Sequence, residues 1–158
     1  MATKKSVAKT TVKKDAKKSD LIGWGIVGCG VIAPTHANAV GGSGTANLVA
    51  VCDVVPGKAK AFAEKYAPGA RAYESMEAML KDPEIQAVSI CTPSGMHADC
   101  CIAAAEMGKH ILCEKPMDVT LEAIDAAIAA CKEHDVKLSG VFQRRTYASS
   151  RKVREAVK

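Results

Sequence analysis

Three short runs in this chain hold the residues whose types and spacing could do chemistry. The first is Gly28-x-Gly30-x-x-Ala33, placed after the apolar stretch I-G-W-G-I-V and followed, 23 residues beyond Gly30, by Asp53 at the end of V-A-V-C-D. Gly28 permits a tight turn, Gly30 lets backbone approach a phosphate, and Ala33 keeps the next helix close to its strand. The N–H groups opening that helix, around Val31 and Ile32, favour negative charge, so a pyrophosphate fits there. Asp53 can accept hydrogen bonds from ribose hydroxyls and repels a 2′-phosphate, which favours NAD over NADP. Val54 and Val55 supply no cation for such a phosphate, and Lys58 is near enough to leave NADP open. The plainer alternatives are a glycine-rich turn without ligand and an acid that merely caps a turn.

The second run is C-T-P-S-G-M-H at residues 91–97. Pro93 stops a strand, Ser94-Gly95 turns, Thr92 and Ser94 offer hydroxyls, and His97 opens a helix, as a cofactor neighbour or as a capping or packing residue. The third is Glu114-Lys115-Pro116. A lysine beside a carboxylate and pinned by proline can shuttle a proton or bind a hydroxyl; burial lowers its pKa and the carboxylate opposes that. A surface ion pair is the alternative.

The elements that must position these runs are legible in the hydrophobic pattern. Apolar runs over 22–27, 47–53, 70–73, 87–91, 110–113 and 137–140 read as strands. Segments 31–40, 57–66, 75–81, 96–107 and 120–134 read as helices, the fourth ended by Gly108 at the position after its cap. Helix 57–66 puts Ala59, Phe62, Ala63 and Tyr66 on one face, and helix 120–134 has the apolar stripe Leu121, Ile124, Ile128, Cys131. Such apolar strands alternating with helices imply an α/β fold, a doubly wound parallel sheet of the Rossmann type. All three runs then follow strand carboxyl ends, where ligands bind in such sheets.

Composition sets the outer limits. The chain has 158 residues, 48% hydrophobic and 25% charged, as expected of one globular domain. Its net charge of +5 sits in residues 1–20, which hold seven lysines and two aspartates; the rest carries 15 basic and 15 acidic residues. The body is therefore no nucleic-acid-type basic domain, and the tail reads as disordered. A Lys-rich start before Leu21–Ala33 imitates an export signal, but four glycines in those thirteen residues weaken a membrane-seeking helix. Seven cysteines without scaffold spacing fit a reducing cytoplasm, and His97, Cys100 and Cys101 lack a C-x-x-C partner, so no metal is expected.

In this order G-C-G-V-I-A with His36, V-C-D, C-T-P-S-G-M-H, C-E-K-P-M and G-V-F-Q-R-R resemble the N-terminal half of the Gfo/Idh/MocA oxidoreductases over residues 21–158. The resemblance implies hydride transfer between NAD(P) and a hydroxyl carbon of a sugar, inositol or related polyol. It implies that Lys115 is catalytic, that Thr92, Pro93, His97 and Glu114 with Lys115 and Pro116 line the cofactor, and that Lys115, Gln143 and Arg144 approach the substrate. It implies a homo-oligomer at full length. Relatives are longer, so the expected organisation is a basic tail (1–20), a dinucleotide-binding domain (21–145) and the start of a truncated second domain or linking helix (146–158). The chain alone is then expected to bind cofactor with little turnover. The competing functions are a stand-alone NAD-binding regulatory module and an interaction protein working through its Lys-rich tail.

Overall fold

The computed structural model describes residues 20–157, so the Lys-rich segment, save Asp20, lies outside the described residues. Six strands form one sheet: β1 (Ile22–Val27), β2 (Ala46–Cys52), β3 (Arg71–Tyr73), β4 (Ala87–Ile90), β5 (His110–Cys113) and β6 (Leu138–Gly140). Their order is β3-β2-β1-β4-β5-β6 and every pairing is parallel. The helices are α1 (Ala33–Gly42), α2 (Lys58–Tyr66), α3 (Met76–Leu80), α4 (His97–Glu106), α5 (Leu121–Glu133) and α6 (Ala148–Ala156). The order reverses between β1 and β4, where the chain leaves one half of the sheet for the other. This is the doubly wound α/β architecture expected, with its ligand crevice at the β1/β4 carboxyl ends.

Alternation along the strands divides the core. Ile26 and Val51 face a layer made by Ala33, Ala37, Phe62 and Ala63 of α1 and α2. Val27, Val88, Ile90 and Ile111 face the layer of α3, α4 and α5. Local signals fix the helix ends. Ser75 Oγ accepts from Ala78 N, Thr120 Oγ1 accepts from Ala123 N, and Gly108 takes φ +67° just past α4.

Two expectations need correction. The first helix starts at Ala33, not Val31: residues 30–32 form a preceding turn closed by Ala33 N donating to Gly30 O, and Pro34, which lacks an N–H, suits the first helical turn. In α5 the buried residues are Ala127 and Cys131, while Leu121 is 74% exposed. Helix α5 packs on α4, whose buried face is alanine and cysteine, and that approach selects the small side chains of α5 rather than its largest ones.

All seven cysteines are free and buried. Burial, with Asp53 adding for Cys29 and Glu114 for Cys91, pushes both thiols up to about 12, and burial pushes Cys52 up to about 11. The unfolded chain loses these protons near pH 9, so it binds fewer protons than the folded one above that pH, and stability falls. Urea midpoints are therefore expected to hold up to about pH 8.5 and to drop between about pH 9 and 11. A midpoint that is flat across that window would contradict the burial of these thiols. Among the described residues no helix is long and apolar enough to cross a membrane.

Candidate functional site

The crevice begins where β1 ends. Cys91 N donates to Val27 O at 2.7 Å and Gly28 N to Cys52 O at 2.8 Å, so the turn leaves between β2 and β4. Gly28 has φ +90°, and a Cβ there would stand 2.7 Å from Cys91 O and 2.9 Å from Thr92 N. Only glycine combines that conformation with that approach. Gly30 is different: nothing lies within 4 Å of where its Cβ would be. It presents bare backbone to a cavity of 520 Å³ whose lining includes Gly28, Gly30, Asp53, Val54, Val55, Lys58, Thr92 and Pro93. A glycine whose missing side chain faces open cavity, before a helix N-terminus, fits the pyrophosphate of a dinucleotide.

Asp53 closes the opposite side. Its Oδ2 accepts from Cys29 N at 2.9 Å and pairs with Lys58 Nζ at 2.7 Å; Oδ1 accepts from Val55 N at 3.0 Å. Burial alone raises this carboxyl, but the Lys58 ammonium and the two backbone donors outweigh it and hold the pKa below the usual range. Asp53 is thus an acceptor at the cavity and also the tie between the glycine turn and the loop after β2. It does not cap α2, whose cap is Gly57, held through its N–H by Glu74 Oε1 at 3.0 Å.

The second and third runs meet beneath the cavity. His97, 1% exposed, places Nδ1 2.6 Å from Pro116 O and Nε2 2.8 Å from Thr92 O, bridging the loops after β4 and β5. Asp118 Oδ2 accepts from Ala98 N at 2.8 Å, binding the start of α4 to the same loop; this N–H and that of Val119 hold the Asp118 pKa down. Glu114 is also buried. Its Oε1 lies 3.0 Å from His36 Nε2 and its Oε2 accepts from Lys115 N at 3.0 Å. His36 Nδ1 reaches Ser89 Oγ at 3.0 Å, and Trp24 Nε1 donates to Ser89 Oγ at 2.9 Å. A continuous polar chain therefore runs from β1 through β4 and α1 to the backbone of Lys115.

Lys115 and Pro116, joined by a cis peptide bond, line a second cavity of 480 Å³ with Phe142, Gln143, Arg144 and Arg145. The Arg145 guanidinium stacks 5.4 Å from the Phe142 ring centre. Gly28, Gly30, Asp53, Thr92 and Pro93 thus share the first cavity, and Lys115, Pro116, Gln143 and Arg144 share the second. His97 and Glu114 sit behind these walls, and Val31 and Ile32 belong to neither lining. Sequence reasoning missed Trp24 and Ser89, which carry no motif signal, and gave His36 no role beyond marking a motif.

Residues 22–142 match the sequence model of an oxidoreductase family with an NAD-binding Rossmann fold. An inositol 2-dehydrogenase of Rhizobium meliloti is 39% identical over 134 residues, covering 85% of this chain and 40% of that protein. The solved WlbA dehydrogenase of Bordetella pertussis, in complex with NADH and UDP-GlcNAcA, superposes with a TM-score of 0.82 at 36% identity, over 87% of this chain and 42% of that one. The scyllo-inositol dehydrogenase of Lactobacillus casei, with bound NAD(H) and scyllo-inositol, gives 0.77 at 30% identity, over 87% and 41%. The chain spans about 40% of the length of the curated relatives it matches.

Proposed function

The chain belongs to the Gfo/Idh/MocA oxidoreductase family, and from that membership we propose that it is the nucleotide-binding part of an NAD(P)-dependent dehydrogenase acting on a sugar, inositol or related polyol. The observation that carries this reading is Gly30, whose bare backbone faces the cavity that Asp53 closes. Gly28 and Gly30 hold the pyrophosphate, Asp53 and Lys58 the adenosine ribose, and Thr92 and Pro93 the far wall. When bound, the nicotinamide supplies a hydride donor or acceptor. Lys115 takes or gives the proton of the substrate hydroxyl, a role worth about 10²–10⁴-fold in rate. Its exposed side chain and its cavity with Gln143 and Arg144 support that assignment. Pro116 shapes the same wall, while Glu114 and His97 position it from behind through the contacts described.

We assign residues 21–145 to the dinucleotide unit and 146–158 to the start of a further one, within a homo-oligomer at the relatives' length. The free buried cysteines support a cytoplasmic setting. Titrating the 158-residue chain with NADH is expected to give saturable fluorescence enhancement. Lys115→Ala is expected to leave that binding within about threefold, because Lys115 acts on the proton rather than on the nucleotide. Absence of saturation by the unaltered chain would sink the reading.

A further inference from the structure

The Lys115 N–H donates to the carboxylate of its own neighbour, Glu114 Oε2. The backbone of the proton-handling lysine therefore depends on the rotamer of Glu114, and what fixes that rotamer lies outside the loop. Glu114 is 6% exposed, and its other oxygen is paired with His36, the fourth residue of α1. Counting donors assigns the tautomer of that ring. Trp24 Nε1 has a proton and no lone pair to offer, so Ser89 Oγ accepts from it at 2.9 Å. The hydroxyl's own proton then goes to His36 Nδ1, 3.0 Å away. A ring that accepts at Nδ1 carries its proton on Nε2, where it donates to Glu114 Oε1 at 3.0 Å. Every donor from Trp24 through Ser89 and His36 thus points toward Glu114, and the Lys115 N–H meets the same carboxylate from the other side.

We propose that His36 is a positioning residue for Lys115: its Nε2–H fixes the Glu114 carboxylate, which in turn holds the Lys115 backbone at the wall of the second cavity. This rests on the role given to Lys115 above and deepens it. Trp24 and Ser89 lie on β1 and β4, at the centre of the sheet. The loop after β5 therefore takes its position from the middle of the sheet rather than from its own turn, and α1 supplies the link. A buried carboxylate deprived of that donor turns toward water, and the Lys115 N–H loses its acceptor. The lysine side chain then leaves from a backbone no longer fixed beside Gln143 and Arg144.

Two replacements separate the ring's nitrogens, since a glutamine amide reaches the place of Nε2 and an asparagine amide only that of Nδ1. The test follows, by NMR on the 158-residue chain, exchange of the Lys115 N–H and the indole N–H signal of Trp24, its single tryptophan. The N–H groups of Cys91 and Ile111, bonded across the sheet to Val27 O and Lys137 O, serve as references. His36→Asn is expected to speed Lys115 exchange by about tenfold or more and to leave the Trp24 signal in place. His36→Gln is expected to move the Trp24 signal and to keep Lys115 exchange within about threefold, with the references within about threefold in both variants. Equal acceleration at Lys115 in the two variants, or none in either, would overturn the proposal. Where His36→Asn does not fold, His36→Gln decides alone: a moved indole with a protected Lys115 supports the proposal, and the reverse sinks it. NADH titration of the unaltered chain reads the dinucleotide assignment separately, so a failure there with the expected Lys115 response would remove that assignment and leave the tie between His36 and Lys115.

Discussion

Gly30→Val is expected to fold like the unaltered chain and to lose NADH binding by about a hundredfold or more, about 3 kcal/mol of binding free energy. The two halves of that result have separate causes. Nothing lies within 4 Å of a Cβ at Gly30, and its φ is outside the left-handed region, so the folded state accommodates a side chain. That side chain then fills the space in which a pyrophosphate must approach backbone N–H groups. Gly28→Ala gives the contrasting case, since its Cβ would strike Cys91 O at 2.7 Å from a positive φ. Urea denaturation read beside NADH titration separates the two. A Gly30→Val chain that binds NADH normally would place the pyrophosphate elsewhere.

Gly23→Ala carries the largest expected loss of stability. A Cβ at Gly23 would lie 1.7 Å from Glu84 O, a backbone atom that no rotamer change can move. The surrounding backbone is also tied: Gly23 N donates to Gln86 Oε1 at 2.9 Å and Gln86 N to Gly23 O at 2.8 Å. Relief requires β1 and the loop before β4 to part, breaking those bonds, at a cost of about 3 kcal/mol or more. Gly25→Ala offers the control. Its Cβ would meet Met79 Cε at 3.2 Å and Val88 Cγ1 at 3.3 Å, side-chain atoms that can shift. Chemical denaturation should therefore rank Gly23→Ala well below Gly25→Ala. Equal stabilities would mean that the strand does not run as close to Glu84 as described.

The contrast among these glycines shows where the sequence was legible. The strands stand out as apolar runs, and their alternation with helices, with the crossover rule, leads from them to a doubly wound sheet. Gly28, Gly30 and Asp53 were visible because their roles depend on local spacing along one strand-turn-helix unit and the next strand end. Gly23 read only as part of a strand, because its constraint comes from Glu84, 61 residues away in sequence. The α5 stripe misled for a related reason. Periodicity weighs side chains by hydrophobicity, whereas the alanines of α4 admit a neighbour only where it is equally small. His97 stood open between capping and lining because its two carbonyl partners, Thr92 O and Pro116 O, come from different loops. Lys58 is near Asp53 in sequence, but no spacing says that its ammonium rests on the acid.

The hold of Asp53 on Cys29 N and Val55 N bears on how such a site can change over generations. A replacement at Asp53 alters nucleotide choice and at the same moment frees two backbone donors, so each such step arrives burdened with a structural loss. Lys58 has no comparable duty beyond its ion pair and stands half in water. Drift in coenzyme usage therefore has a cheap route through the first residue of a helix and a costly one through the acid. Lineages built on this turn should be found exploring the former while the latter stays fixed.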